Sequence, residues 1–319
     1  MANIDLDKPR FDQNTYTGRA KHFLLLTNPL NLLASESDLD EAKKIVTEFR
    51  KTRKLPPGYD ADKLWATKYL YDSAFHPDTG EKMLAIGRMS AQAPMNTLIT
   101  GCMITFYKTK PAIIFWQWIN QTFNAVVNYT NRSGDAPITT KQLFASYCAA
   151  CGGALTTALY LNSKTKNMNP MFSRLVPFAA VCGANFINIP MMRSNELMNG
   201  TPVFTVPDGQ RVGDSVTAAR VGIFLVCISR VVMAVPGMTI TPAITNWATK
   251  RGMFCHYPLA VIPFQLSLVG LCVTFATPLA CALFQQRATL PVANLEPDLQ
   301  EFAKKKFPKT TTVYYNKGL

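Results

Sequence analysis

Long stretches without a charged residue limit most strongly what this chain can fold into. Six of them contain 18 to 35 residues each, and they are Met89–Tyr107, Pro111–Asn131, Gln142–Ser163, Leu175–Met192, Val231–Thr249 and Gly252–Gln286. An α-helix rises 1.5 Å per residue, so about 20 apolar residues cross the roughly 30 Å hydrocarbon core of a bilayer. The sequence therefore predicts an all-α membrane protein with several transmembrane helices.

The charged residues divide the 319-residue chain into three parts. Residues 1–93 carry 14 Lys or Arg and 13 Asp or Glu, residues 94–286 carry only 13 and 4, and residues 287–319 carry 6 and 3. Only 17% of the chain is charged, compared with about 25% in soluble domains. We expect a polar helical N-terminal region, a transmembrane helical domain and a basic C-terminal tail with these boundaries. The composition excludes a disordered chain and a disulfide-stapled mini-protein.

The uncharged runs predict five spans, near 97–119, 142–162, 175–192, 221–243 and 262–284. A sixth, partly inserted helix around 115–131 is the competing prediction, because only Lys108-Thr109-Lys110 separates the first two runs. Five spans would place the two ends of the chain on opposite sides of the membrane. The loop charges are too even to predict the orientation, and the first residues show no cleavable signal.

The polar parts contain recognisable local signals. Ser37-Asp38-Leu39-Asp40 predicts the start of an amphipathic helix, and a second helix is expected from Asp60 to Ala74. Residues 201–212 predict a small hairpin that turns at Asp208-Gly209. The tail carries Lys304-Lys305-Lys306 without a motif that reads nucleic acid. It is interpreted as solvated or weakly attracted to anionic lipid.

A stripe of carboxamides marks the second uncharged run. Gln117, Gln121, Asn124 and Asn128 are spaced so that a helix aligns them on one face, with Asn120 beside them. The sequence places Phe115, Ile119, Phe123 and Val126 on the other side of that helix. Carboxamides are costly to expose to lipid, so they face protein, water or a solute. Two interpretations stay open: an interfacial or interhelical packing role, and a polar pathway.

Helix-breaking residues lie at membrane depth. Pro190, Pro236-Gly237 and Pro263 are candidate helix breaks, and transporters use such breaks to present helix ends to substrates. Arg230 is the one cation that the sequence places inside a span. Contact with a substrate and snorkelling toward the interface are its two interpretations.

The remaining polar motifs are less informative. The segment His76-Pro77-Asp78-Thr79-Gly80-Glu81-Lys82 is interpreted as a turn, and the competing interpretation is a gate or ion site built on His76, Asp78 and Glu81. Cys148 and Cys151 have redox spacing but lie in a predicted span, which favours helix packing. No catalytic or metal-binding motif is found in the sequence. An enzymatic function therefore has little support, and we expect no cofactor, metal or nucleic acid.

Several long motifs closely resemble the sideroflexin family, and the similarity runs from about Phe11 to Leu319. They are Phe75–Met83, Gly87–Gln92, Phe115–Trp118, Asn128–Asp135, Asn188-Ile189-Pro190, Phe275–Pro278 and Tyr315–Leu319. The resemblance is greatest to the sideroflexin 1/3 branch. It implies a multi-pass mitochondrial inner-membrane protein with about five spans, no cleaved presequence and an N-terminus facing the matrix.

The same resemblance implies transport of serine and other small neutral amino acids, such as alanine and cysteine, for one-carbon metabolism. An older idea of a tricarboxylate carrier also attaches to the family. A tricarboxylate needs several buried cations, whereas Arg230 alone, or a helix end, can hold the carboxylate of a zwitterion. A redox or iron-handling membrane protein is a second candidate class, and a non-transporting membrane scaffold is a third.

Overall fold

The computed structural model describes residues 4–76, 79–106, 109–131, 139–165, 175–206 and 208–318. Three helices form the polar N-terminal region, and they are α1 Tyr16–Leu26, α2 Glu36–Thr52 and α3 Ala61–Ala74. Asp60 caps α3, as the sequence predicts. The capping box of α2 begins at Ser35, two residues before the predicted start, because Ser35 and Asp38 each bond the other's backbone amide.

Longer helices follow in the middle of the chain. They are α4 Gln92–Phe106, α5 Lys110–Thr130, α6 Thr140–Thr165, α7 Val176–Met192, the short α8 Ser194–Asn199, α9 Val216–Val235, α10 Thr241–Lys250 and α11 Val261–Cys281. A π-helical segment, Pro236–Ile240, joins α9 to α10 without a gap. A further α-helix near the C-terminus, α12, spans Pro297–Lys306.

The fold is that of a mainly helical membrane protein, as predicted. Three helical segments of the described residues are long and apolar enough to cross a bilayer: Thr140–Lys164, Val216–Lys250 and Pro258–Cys281. Val176–Met192 is a shorter apolar helix. The predicted number of five spans stays a prediction.

The first predicted span, 97–119, is wrong in detail because two helices occupy it. The Thr109 hydroxyl accepts a hydrogen bond from the Ala112 amide at 3.4 Å and caps α5. Pro111 then sits in the first turn of α5, where its missing N–H costs nothing. Phe106 at the end of α4 stacks on Trp116 in α5, with ring centroids 6.4 Å apart. The chain therefore reverses between α4 and α5.

Six helical segments of the described chain form a closed ring. Each of α4, α5, α6, α7, α9 and α11 contacts the next, and α11 returns to α4. Neighbours are antiparallel: Gln142 at the start of α6 donates to the Met192 carbonyl at the end of α7 at 2.9 Å. Likewise, Gln265 near the start of α11 donates to Thr105 near the end of α4 at 3.3 Å.

A four-stranded antiparallel sheet lies outside this ring. Its strands are β1 Thr201–Thr205, β2 Arg211–Ser215, β3 Arg287–Pro291 and β4 Thr312–Asn316, in the order β2-β1-β4-β3. The predicted hairpin is present as β1 and β2, with Gly209 at φ 67° in its turn. The tail differs from the simple basic tail that its charge suggests, because β4 pairs with both β1 and β3 and buries Tyr315.

Both terminal regions pack against the same end of α11. Arg19 in α1 donates to the Ala282 carbonyl at 2.8 Å, and the Lys317 amide donates to the Gln286 carbonyl at 2.8 Å. The two terminal regions therefore lie at the same end of the helical ring, which differs from the opposite ends that five spans would give. The physical reason is the reversal between α4 and α5, which makes the number of antiparallel segments in the ring even.

Candidate functional site: a polar cavity inside the helical ring

A cavity of about 60 Å³ lies inside the ring of helices. A cavity of this volume can hold roughly four water molecules. Its polar lining comes from α4, α5, α7, α9 and α11, and consists of Gln92, Asn96, Thr100, Asn120, Asn124, Asn185, Arg230 and Thr277. The rest of the lining consists of Val181, Met233, Ala234, Gly237, Met238 and Val273. Small apolar surfaces thus enclose a site that offers amides, hydroxyls and one guanidinium.

The carboxamide stripe of α5 faces the interior of the ring. Gln117, Asn120 and Gln121 are buried and Asn124 is half-buried, but only Asn120 and Asn124 belong to the cavity lining. Asn128 lies one turn further and donates to the sulfur of Met192 at 3.3 Å. The stripe therefore divides into a cavity-lining part and a helix-packing part.

The sequence places Phe123 on the side of α5 that faces away from the carboxamide stripe, and this prediction is wrong. It is buried with Ile99, Met103, Val127 and Met238 in an apolar cluster beside the cavity. The inward arc of α5 is wider than the stripe because α4, α7 and the π-helical segment surround that helix on its inner side. Phe115 remains exposed, as expected for a lipid-facing residue.

Two polar atoms of the cavity residues lack a protein partner. Asn120 Nδ2 and Thr277 Oγ1 are buried and form no hydrogen bond with the residues that the structure describes. Leaving a buried donor or acceptor unpaired costs about 1–3 kcal/mol. On the adjacent wall, Asn96 Nδ2 donates to Gln92 Oε1 at 2.9 Å. The cavity thus presents groups that a polar ligand would satisfy.

Arg230 and Gly237, the second residue of the Pro236-Gly237 pair, both line this cavity. Arg230 is half-buried in α9, and Gly237 lines the cavity at the start of the π-helical segment. A side chain at Gly237 would begin 3.4 Å from Val273 Cγ2 and 3.8 Å from Thr100 Cγ2. The local break thus brings bare backbone next to the polar groups.

The two remaining predicted breaks have different positions. Pro190 lies inside the last turn of α7, and the helix continues to Met192. Pro263 lies in the first turn of α11 and does not interrupt it, because first-turn amides have no partner within the helix. Neither proline is among the described residues of the cavity lining.

Sequence reasoning misses several residues of the site. Gln92, Asn96 and Thr100 recur every four residues on α4, a spacing that can be noticed in the sequence. Asn185 and Thr277 are single polar residues in apolar helices, and only the closure of the ring brings them to α5. No pattern in the sequence identifies them.

Lys317 is also missed, because the tail that contains it has the composition of a solvated segment. The relative exposure of Lys317 is only 1%, and the residue lines a second cavity of about 10 Å³. Burial is the main cause that lowers the pKa of its ammonium to about 8, and the nearby guanidiniums of Arg193, Arg230 and Arg19 act in the same direction. The transmembrane domain therefore contains a second internal cation, supplied by the tail, which corrects the single-cation expectation.

His76 and residues 79–82, the described part of this motif, are hydrogen-bonded to one another and contact α2. The buried His76 donates its backbone amide to the Glu81 carbonyl at 2.9 Å, and its carbonyl accepts from the Gly80 amide at 2.9 Å. Lys82 pairs with Asp40 at 3.2 Å, and Glu81 is exposed. Asp78 lies outside the described residues. The contacts favour the turn interpretation over a gate.

The cysteine pair of α6 lies away from the cavity lining. Cys148 is exposed and Cys151 is half-buried. In the part of the chain that the structure describes, no group of three or more His, Cys, Asp or Glu residues could hold a metal ion. The two cysteines therefore lie on the surface of α6 and are not among the described residues that line the polar cavity.

A ring of antiparallel, mostly apolar helices around a small polar cavity defines a multi-pass membrane protein with an internal polar site. The family model of the sideroflexins matches residues 5–319, and the chain belongs to this family. It is 54% identical to Sideroflexin-1-3 of Drosophila melanogaster over 319 residues, covering 100% of this chain and 99% of that protein.

Two vertebrate relatives show the same extent of similarity. Sideroflexin-1 of Homo sapiens is 53% identical over 317 residues, and Sideroflexin-3 of Mus musculus is 54% identical over 317 residues. In both cases the match covers 99% of this chain and 98% of the relative. No solved structure matches the chain.

Proposed function

We propose that this protein transports serine and other small neutral amino acids, including alanine and cysteine, across the mitochondrial inner membrane. In this role it supplies serine to the matrix for one-carbon metabolism, and its N-terminal region faces the matrix. The observation that carries the proposal is the cavity inside the ring, whose lining residues Asn120 and Thr277 each have a buried polar atom, Nδ2 and Oγ1, without a partner among the described residues. A polar solute that enters the ring would satisfy these atoms.

The groups of the cavity complement a zwitterion with a small polar side chain. The Arg230 guanidinium can bind the carboxylate through charge-assisted hydrogen bonds. The carboxamide oxygens of Asn120, Asn124 and Asn185 can accept from the ammonium, and Thr277 can bind the serine hydroxyl. No carboxylate contributes to the lining among the described residues, so the substrate ammonium is held by neutral oxygens.

Charge favours serine over a tricarboxylate. Among the described residues, the cavity lining offers one guanidinium, that of Arg230. Three substrate carboxylates would also need several compensating cations, because burying an unpaired charge costs several kcal/mol. We therefore expect citrate to be a poor competitor.

Uptake into proteoliposomes that contain only this protein tests the proposal. Labelled L-serine should enter faster than into protein-free vesicles, and unlabelled alanine and cysteine should reduce that uptake. Serine entry at the protein-free rate would overturn the proposal. Inhibition by citrate at concentrations comparable to serine would contradict the charge comparison.

The same assay separates transport from cysteine chemistry. Cys148 and Cys151 lie outside the described cavity lining, so the double variant Cys148→Ser/Cys151→Ser should retain full serine uptake at equal reconstituted protein. Loss of uptake with normal protein abundance would favour a redox function.

A further inference from the structure

The two cavities of the transmembrane domain are immediate neighbours. The smaller cavity, of about 10 Å³, shares Gln92, Arg230, Met233 and Thr277 with the larger one. Lys317 belongs to the smaller cavity and lies at the end of the ring next to the sheet. Only the shared side chains therefore separate Lys317 from the proposed substrate site.

The fold holds Lys317 in place on both sides of its backbone. Its amide donates to the Gln286 carbonyl at 2.8 Å, and its carbonyl accepts from Arg193 Nη1 at 2.6 Å. β4 ends at the preceding residue, Asn316, and is paired with β1 and β3. The lysine is thus delivered by a fixed strand rather than by a loose tail.

A glycine in α9 makes the close approach of this strand possible. A Cβ atom at Gly222 would lie 3.2 Å from the Tyr315 ring and 3.6 Å from the Lys317 carbonyl oxygen. Tyr315 and Lys317 are among the largest fully buried side chains of the described residues. Sheet and helix are therefore packed so that the lysine reaches the interior of the ring.

The charges around the two cavities do not balance. Neither Lys317 nor Arg230 forms an ion pair with an acidic side chain that the structure describes. Of the remaining cations nearby, Arg193 is paired with Glu196, and Arg19 donates to backbone carbonyls. Buried charges are stable only when paired, so the cavity residues lack one negative charge that a ligand can bring.

We propose that Lys317 binds substrate: its ammonium and the Arg230 guanidinium together hold the carboxylate of the transported amino acid at the sheet-side end of the cavity. This inference rests on the proposed function and specifies how its site recognises the substrate. The substrate ammonium then lies toward Asn120 and Asn124, at the deeper end, and the serine hydroxyl lies next to Thr277.

The titration of Lys317 supports this role. Its pKa of about 8 means that the ammonium is charged below that pH and loses its charge above it. The charged and titratable groups that face it are Arg19 of α1, Arg193 after α7, Arg230 of α9 and Cys281 of α11. The site should therefore lose carboxylate affinity as the pH rises through 8.

Lys317→Met tests the inference, because methionine keeps most of the length of the side chain and removes the charge. A charge-assisted hydrogen bond contributes roughly 1.5–3 kcal/mol, so the KM for labelled serine in proteoliposomes should rise about tenfold or more. Lys309→Met is the matched control, since Lys309 is an exposed lysine of the same tail. Its KM should stay at the wild-type value.

Inhibitors that contain only one of the two charged groups of serine distinguish a loss of carboxylate binding from misfolding, because misfolding would weaken inhibition by both. Glycerate has the carboxylate without the ammonium, and 2-aminoethanol has the ammonium without the carboxylate. Lys317→Met should weaken inhibition by glycerate and leave inhibition by 2-aminoethanol unchanged. A KM equal to wild type, or equal losses for both inhibitors, would overturn the inference.

Lys317→Arg covers the case in which the methionine variant does not accumulate. In the wild type, glycerate inhibition should weaken from about pH 7 to about pH 9, on either side of the Lys317 pKa, because the lysine loses its proton. Arginine stays charged, so glycerate should inhibit the Lys317→Arg variant equally at both pH values. A pH response identical in the two proteins would overturn the inference.

The two proposals fail in different ways. A wild-type protein that takes up no serine would overturn the proposed function and, with it, the inference. A wild type that transports serine alongside a fully active Lys317→Met variant would overturn the inference alone.

Discussion

Substitution of Asn124 distinguishes the two roles proposed for the α5 stripe, a substrate pathway and helix packing, more clearly than substitution of any other residue in it. It lines the cavity and is half-buried. Interhelical hydrogen bonds in membranes contribute only about 0.6 kcal/mol on average, so Asn124→Leu should leave insertion and abundance nearly unchanged. Leaving a substrate polar group unpaired costs about 1–3 kcal/mol, which should raise the KM for serine by roughly five- to 150-fold.

Asn128→Leu is the matched control for Asn124→Leu. It makes the same substitution on the same helix, but Asn128 bonds Met192 and lies outside the described cavity lining. We expect its serine uptake to stay near that of the wild type at equal protein. If Asn124→Leu transports normally, or loses uptake only because the protein disappears, the stripe serves packing.

At the scale of single residues, the sequence predicts site residues that recur with the period of one helix. It misses site residues that only the tertiary fold brings together. Asn120 and Asn124 are identifiable because a helix repeats every 3.6 residues, and Arg230 because a charge is rare in a span. Lys317 resembles part of a solvated tail in the sequence, since its burial depends on a strand that pairs with a hairpin about 110 residues away in the chain. Local patterns carry no information about such a pairing.

At the scale of elements, the π-helical segment controls how much space the cavity has. Gly237 lines the cavity, and the branches of a leucine there would enter it beyond Val273 and Thr100. Gly237→Leu should reduce serine uptake to nearly the rate of protein-free vesicles. Gly237→Ala adds only one methyl group at ordinary contact distance and should have a smaller effect.

Gly152→Leu controls for the change from glycine to leucine in a transmembrane helix. Gly152 is exposed on α6, and a Cβ atom there meets nothing within 4 Å among the described residues. Uptake by this variant should equal that of the wild type. Normal transport by Gly237→Leu would show that the cavity is not on the pathway.

Glu296 joins the sheet to the ring by capping α9. Its Oε1 accepts the Thr217 amide at 2.7 Å and the Thr217 hydroxyl at 3.0 Å. Loss of an N-terminal cap typically costs about 1 kcal/mol. Glu296→Ala should therefore lower the unfolding temperature in detergent, whereas Glu301→Ala, at an exposed position on α12, should leave it unchanged.

The contribution of Glu296 should depend on pH in a defined direction. Burial raises the pKa of its carboxyl, but hydrogen bonds from Thr217, Ser215 and its own backbone amide together outweigh burial and hold that pKa below the ordinary 4.5. A lowered pKa in the folded state stabilises the fold above pH 4.5 and ceases to do so as the pH falls through the folded value. The difference between wild type and Glu296→Ala should thus shrink on acidification, and a difference that grows would contradict the capping role.

Elements are predictable from the sequence where a local signal marks their ends. Asp60 starts α3 and Asp208-Gly209 turns the hairpin, as expected. The boundary between α4 and α5 is not predicted correctly. Only three residues, Lys108-Thr109-Lys110, separate the two uncharged runs, and this spacing suggests one continuous helix rather than two. The cap at Thr109 with Pro111 behind it is the signal that can place the boundary.

At the scale of the whole molecule, the even number of antiparallel segments determines where the ends lie. α4 has 15 residues, about 22 Å at 1.5 Å per residue, which is shorter than the roughly 30 Å hydrocarbon core. A topology based on the sequence therefore merges it easily with α5. The contacts of α1 and of Lys317 with the end of α11 place both terminal regions at the same end of the ring, so we expect them on one side of the membrane.

Protease protection in mitoplasts tests this topology. One epitope tag belongs at the N-terminus and the other after Lys309, in an exposed turn, because a tag at the C-terminus itself would disturb the buried Lys317. Both tags should show the same accessibility, and both should be protected if the N-terminal region faces the matrix. Cys255, exposed in the loop after α10 at the other end of the ring, should react with an impermeant maleimide when it is the only cysteine. Tags with opposite accessibility would favour five spans and would be incompatible with a Lys317 that reaches the cavity from the side of α1.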